Sequence, residues 1–425
     1  MEGTLLVLYN RTINYILEFL LNGNEYVRYV GYTRDATKWE QYKVVIVPSS
    51  FFQDHAAAKS RMPQLPLNEL EGMPILFGEP QVKQVNGTLV IYADLVASAL
   101  FLLSRYEEIL NPERDVHGRF SAASSLAYKA GFLQRPLIDE YGAYLRRCLA
   151  QCGVELPAAT QKMTITLTHD VDVPFEHRTL RSFLGGIRRG KVKMAFKNAF
   201  SSLLRNSVYS FPWLIEQDNR LPDAQKIYFL RCPIQACAYD NPYLSYRSRD
   251  MRQLVTLLKQ SGVQVGLHGS YQSGSDAPLI AAEKRQLEKN IGTPLTQHRY
   301  HFLRTCIPDN FISLQEAGVL HDYTLGYADA VGFRLGTCRP VRFISPITFQ
   351  VENVQLHPLT IMDVTLSDYR QLSYHQAWDT VVQIVDQVKK HHGELVLLWH
   401  NTSVADSTTY HRPLYNDIIT HLTLD

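Results

Sequence analysis

Five stretches of this chain end an apolar run in residues that can move protons or bind a metal. Thr168-His169-Asp170-Val171-Asp172 closes the alternating run Met163–Thr168 with two carboxylates one residue apart. One could hold a divalent ion while the other serves as a base; equally, the pair could be a turn whose Asp caps the next helix. Gly266-Leu267-His268-Gly269 sets an imidazole directly after a strand-like run, followed by Ser270, Tyr271 and Gln272. Neutral imidazole is the usual nitrogen ligand for zinc and similar ions. Arg299-Tyr300-His301-Phe302-Leu303-Arg304 offers a cation and a second imidazole on a strand edge, or else an exposed basic strand. Asp322–Arg334 is a glycine-rich stretch holding Asp329 and Arg334, a pair that could be functional or purely structural. Finally, Leu395–Trp399 is an apolar run ending in His400-Asn401, which makes His400 a candidate general acid.

These groups need a scaffold that gathers strand ends. From residue 160 onward, strand-like runs alternate with helical stretches. Ile227–Leu230, Val263–Leu267, Tyr323–Tyr327 and Leu395–Trp399 read as strands. Asp250–Gln260, Ala281–Asn290, Phe311–Ala317 and Tyr374–His391 read as helices. Repeated β-then-α with apolar strands predicts a parallel sheet, open or closed into a barrel. In such folds active sites assemble at the carboxyl ends of the strands, where all five clusters fall.

Residues 1–155 read as a separate, smaller α/β domain. Leu5–Tyr9, Lys43–Val47 and Leu89–Ile91 are short runs of strand type, Ile13–Leu21 has helical spacing, and Asp94–Glu108 predicts one helix. Arg135-Pro136 introduces a helix over Leu137–Cys152. Pro157–Thr160 reads as a linker. Within 176–216, the segment Arg178–Arg205 holds eight Lys or Arg and no Asp or Glu, with Phe183, Ile187, Phe196, Phe200 and Leu204 as an apolar side. It is either a basic amphipathic insertion for peripheral contact with an anionic membrane or glycan, or a helical insertion with a solvated cationic face.

Composition narrows the classes. With 45% hydrophobic and 20% charged residues and a formal charge of +2, the 425-residue chain is neither disordered nor a highly basic nucleic-acid binder. No apolar run approaches the roughly 20 residues of a spanning helix. The start Met1-Glu2-Gly3 lacks the cationic character of a secretion signal, and none of the six cysteines forms a CxxC pair. Buried thiols in a reducing, cytoplasmic compartment are expected.

The order Asp-x-Asp, His, Arg, Asp/Arg and a late Leu-x-His resembles the motif sequence of the polysaccharide deacetylases, also called the NodB-like homology domain or carbohydrate esterase family 4. The resemblance covers roughly residues 160–425. It implies a distorted (β/α)7 barrel and metal-dependent removal of N- or O-acetyl groups from a glycan or glycan precursor. Carried over residue by residue, it implies Asp170 as general base, Arg299 as the group that orients it, and His400 as general acid. Asp172 and His268 would bind a divalent metal, zinc foremost. Leu398 would line the acetyl pocket, with Tyr271, Asp329 and Arg334 on the substrate and a backbone N–H near Tyr271 at the oxyanion. The family's second metal His lies four residues after the first, where this chain has Gln272, a poor transition-metal ligand. His301, in place of the family's Pro, is then a candidate for the missing imidazole. The amino-terminal motifs Ser104-Arg105-Tyr106-Glu107-Glu108, His117-Gly118-Arg119-Phe120 and Arg135-Pro136-Leu137-Ile138-Asp139 resemble an uncharacterised domain that precedes a bacterial subgroup of deacetylase-like proteins. Two further readings stay open: a metal-independent hydrolase of another carbon–nitrogen bond, and a non-catalytic glycan-binding protein.

Overall fold

The computed structural model of the protein describes residues 2–52, 62–157, 162–175, 187–188, 190, 192, 206, 208–306 and 310–424. The basic stretch 178–205 and the expected linker fall largely outside these residues.

The chain opens with helix α1, Glu2–Leu21. The strand expected at Leu5–Tyr9 is the first half of this helix. A short apolar run cannot be told from a helix by periodicity alone, and nothing between Leu5 and Leu21 breaks the turn. Strands β1 (Val30–Tyr32) and β2 (Val44–Ile46) follow, then a small hairpin, β3 (Asn68–Leu70) and β4 (Met73–Ile75). Strands β5 (Gly78–Val85) and β6 (Thr88–Ala93) complete a four-stranded sheet of order β1-β2-β6-β5, with β5 antiparallel to β6. Helix α2 spans Leu95–Leu103, capped by Asp94, whose carboxylate accepts from Ala97 N at 2.9 Å.

The single helix expected over Asp94–Glu108 is broken. Arg105 takes a left-handed φ of 57°, and a short helix α3 restarts at Glu107–Leu110. The turn carries Arg105, Glu107 and Glu108 inward, where Glu108 pairs with Arg105 at 3.3 Å and with Arg334 at 2.7 Å. Helix α4, Leu137–Gln151, packs on α1.

A nine-stranded sheet carries the rest of the chain. Its strands are β7 (Thr164–Val171), β8 (Gln225–Arg231), β9 (Gln264–Gly269), β10 (Gln297–Tyr300), β11 (His321–Asp322), β12 (Val341–Ile344), β13 (Val351–Leu356), β14 (Leu359–Met362) and β15 (Glu394–Leu398). The order is β12-β13-β11-β10-β9-β8-β7-β15-β14, parallel throughout except β12 against β13. Between the strands lie α5 (Phe211–Asp218), α6 (Arg249–Gln260), α7 (Leu279–Ile291), α8 (Asn310–Glu316) and α9 (Tyr374–Lys390), and α10 (His411–Thr423) ends the chain.

The strand expected at Tyr323–Tyr327 is reduced to His321–Asp322, because the Asp322 carboxylate takes Thr324 N at 2.9 Å and competes with the ladder. The chain beyond it nevertheless closes the sheet: Tyr323 N donates to His298 O on β10 at 2.9 Å, and Leu359 N on β14 donates to Leu325 O at 3.1 Å. Seven parallel segments thus curl into a distorted barrel, with the β12–β13 hairpin attached outside. Ile227, Phe229, Tyr323, Leu359, Val396 and Leu398 meet in one buried cluster, which strands from opposite sides can form only in a barrel interior.

The amino-terminal elements share a core with this barrel: Ile16, Leu20, Leu100 and Leu145 belong to the same buried cluster as Leu230, Leu267 and Val354. Among the described residues, no helix is long and apolar enough to cross a membrane.

Candidate functional site

Strand β7 sets the site's geometry by its period of two. Thr166, Thr168 and Asp170 share its inward face, and Asp172 lies one residue beyond its end. His169 points the other way, to Asp218 on α5 at 3.1 Å, and Asp218 also accepts from Tyr228 and Tyr415. That buried cluster fixes the outer side of the strand that carries both acids.

Asp170 Oδ1 accepts from Arg299 Nη1 at 3.0 Å. Arg299 is itself fully buried, bonded to Thr168 Oγ1 at 2.8 Å and to Tyr323 O at 2.9 Å, with its guanidinium 4.7 Å above the Phe229 ring. Asp170 therefore faces the cavity with a cation fastened behind it.

Asp172 Oδ1 lies 3.3 Å from His268 Nε2, 3.4 Å from His301 Nε2 and 3.3 Å from Arg231 Nε. One ligand atom from each of Asp172, His268 and His301 falls within 4.8 Å of the others. His268 Nδ1 donates to Arg299 O, a pure acceptor, at 2.9 Å, which leaves Nε2 turned toward Asp172. Both Asp172 Oδ1 and His268 Nε2 are buried atoms with no hydrogen-bond partner. His301 Nδ1 is held by Asp240 Oδ1 at 2.9 Å. Burial opposes charge on Asp172, yet the His301 and His268 imidazoles hold its carboxyl well below the usual range. Burial likewise opposes the His301 cation, but Asp172 and Asp240 raise its pKa.

His400 follows β15. Its Nδ1 meets Asp363 Oδ1 at 2.8 Å, its backbone N donates to Asp363 Oδ2 at 2.7 Å, and its Nε2 lies 3.8 Å from Asp172 Oδ2. Burial alone would lower the imidazole's pKa; the Asp363 charge outweighs it and pushes His400 up to about 10. Asp363, against its own burial, is held down at about 2 by His400. The upward direction at His400 favours the charged ring. Asp170, Asp172, His301, Leu398 and His400 line one cavity of about 310 Å³. Phe302 and Leu303, on the same wall, hold left-handed φ values of 61° and 53°. Such conformations cost of order 1–3 kcal/mol each and persist where packing over-determines them.

Four of the sequence expectations differ from this geometry. The Tyr271 N–H itself is committed to Asp240 at 3.0 Å, and the Tyr271 ring sits beside the cavity rather than in its lining. Asp329 accepts from Ala122 N at 3.1 Å, and Arg334 pairs with Glu108; both tie the barrel to the amino-terminal elements and neither lines the cavity. The two do not pair with each other, because each reaches across to the other part of the chain. Residues that sequence reasoning passed over include Asp240 and Asp363, which hold His301 and His400, and Arg119 and Tyr369, which line the cavity. Asp363 carried a readable signal: it ends the apolar run Leu359–Met362, as His400 ends its own.

Residues 4–153 match the model of a family of unknown function, DUF7033. No curated protein matches the chain. Among solved structures, it is similar to a protein of Mycobacterium smegmatis provisionally designated a polysaccharide deacetylase, at 15% identity and a TM-score of 0.41, covering 64% of this chain and 86% of that one. A mutant of BA3943, a CE4 family pseudoenzyme with restored activity, is similar at 12% identity and 0.31, covering 63% and 64%. Puue allantoinase is similar at 11% identity and 0.40, covering 64% and 89%.

Proposed function

We propose that the protein is a hydrolase that removes an acetyl, or other short acyl, group from an N- or O-acylated sugar of a glycan or glycan precursor. The observation that carries this reading is the convergence on one cavity of an acid held by a buried arginine (Asp170–Arg299, 3.0 Å) and an imidazole held by a buried carboxylate (His400–Asp363, 2.8 Å). The sequence motifs point the same way.

Asp172, His268 and His301 suit a divalent metal. Two imidazole nitrogens and a carboxylate oxygen converge, and two of the three atoms are buried without a hydrogen-bond partner. That donor set favours zinc. With His301 in the group, Gln272 has no ligand to supply. A bound metal would polarise the acyl carbonyl and lower the pKa of a coordinated water.

The chain's own groups do the rest. Asp170 takes a proton from the attacking water, held by Arg299 in one orientation. Leu398, Met362 and Val364 give the cavity an apolar wall that suits an acyl methyl. His400 delivers its Nε2 proton to the departing nitrogen or oxygen, so that no amine anion is expelled. Water and amide become amine and carboxylate, with no other reactant.

Asp170→Asn and His400→Ala, assayed on N-acetylated sugars, should each lower kcat about 10²–10⁴-fold in protein that remains folded. A near wild-type rate in either variant removes that residue from its role.

A further inference from the structure

The loop Asn111–Phe120 leaves α3 and reaches the mouth of the barrel. Arg119 lines the cavity with its side chain only 10% exposed. Its Nε donates to Asp115 at 2.7 Å, Nη1 to Phe302 O at 3.1 Å and Nη2 to Tyr369 Oη at 3.2 Å. A guanidinium carries five N–H groups. These contacts use three and leave two without a protein partner among the described residues.

Two residues earlier, His117 joins an aromatic cluster at the rim. Its ring is 4.9 Å from Phe302 and 5.4 Å from Tyr239, and its Nδ1 is 3.2 Å from Tyr271 Oη. Tyr239 stacks on Tyr271 at 4.3 Å, and Arg304 covers Tyr271 at 4.3 Å while donating to His117 O at 2.7 Å. Tyr239 is 48% exposed, stacked on Tyr271 on one side and perpendicular to the His117 and Phe302 rings. Phe302 belongs to both the cavity wall and this cluster, so the shelf is continuous with the cavity. A flat ring already locked by its neighbours loses little freedom when a ligand lies on it, and an aromatic face suits the C–H face of a pyranose.

We propose that this amino-terminal loop completes a second-ring subsite. The sugar next to the acylated one lies on Tyr239 and offers its hydroxyls to the two remaining N–H groups of Arg119. The substrate is then a glycan of at least two rings, not a monosaccharide or a small amide. The inference rests on the glycan reading above.

Calorimetry on the Asp170→Asn protein tests it without turnover, with N-acetylglucosamine and its β-1,4 dimer and tetramer as probes. The dimer should bind at least tenfold more tightly than the monomer, and adding Tyr239→Ala should erase most of that gain. Arg119→Ala should erase it too, but this side chain is buried and its loss could disturb the loop. Tyr239, at the surface, keeps the test independent of folding. Equal affinity for monomer and dimer, a gain that survives Tyr239→Ala, or no binding of any probe overturns the subsite. If wild-type protein hydrolyses no acylated sugar yet the chain-length gain is present and depends on Tyr239, the subsite stands and the hydrolase reading falls.

Discussion

Replacing Asp363 by Asn should discharge His400 at neutral pH. The two groups are 2.8 Å apart, Asp363 is fully buried and the His400 side chain is 14% exposed, so water screens the pair little. His400 stands at about 10, against its ordinary 6.5. At 1.36 kcal/mol per unit, that displacement corresponds to about 5 kcal/mol of preference for the charged ring. Burial works in the opposite direction, so the nearby carboxylates supply more than this, Asp363 foremost. Asparagine keeps the shape but loses the charge. It also turns a donor toward one of the N–H groups its oxygens now accept, which costs about 1–3 kcal/mol of stability. The His400 pKa should then fall to its ordinary range or below. The sign of the pH effect follows from the raised value in the fold. The ion pair stabilises fully below pH 6.5 and loses its contribution as pH rises through about 10. Imidazole NMR titration of metal-free protein reads the pKa directly, and denaturant unfolding between pH 6.5 and 10 reads the linkage. The variant should titrate lower, show a flatter stability profile across that window, and lose about 10²–10⁴ in kcat at pH 7. A His400 that titrates in the variant where it does in the wild type would refute the reasoning.

Elemental analysis of purified protein should find about one equivalent of zinc, and Asp240→Asn, which frees His301, should weaken metal binding about 10–100-fold in a chelator competition. Arg334→Ala should lower the denaturant midpoint by the equivalent of about 3–5 kcal/mol, because it strands Glu108 without one of its buried partners, while KM stays put; a raised KM at unchanged stability would return Arg334 to the substrate site. Burial pushes Glu283 up to about 7, so the fold should be favoured below pH 4.5 and lose stability as pH rises through about 7, a slope that Glu283→Gln should abolish in equilibrium unfolding.

The sequence by itself determined where several barrel strands run and which polar residues stand at their ends. Apolar β runs that stop in Asp170, His268 and His400 are readable because a strand's inward period of two and its buried end are local properties. Long periodic helices such as α6, α9 and α4 were legible for the same reason, with boundaries off by a residue or two. What failed locally were short runs. Leu5–Tyr9 suits strand or helix equally, and the chain turns at Arg105 so that Glu108 meets Arg334, 226 residues further along. Only the tertiary structure decided which partners meet. It set His301 beside Asp172 and His268, gave His400 its buried Asp363, and moved Arg334 from the site to the join with the amino-terminal elements. It also brought Arg119, more than 180 residues from Phe302 along the chain, into the cavity wall. Such pairings depend on how the barrel closes, and burial then fixes their energetics, because a charge taken out of water must find its counterpart in space rather than in sequence.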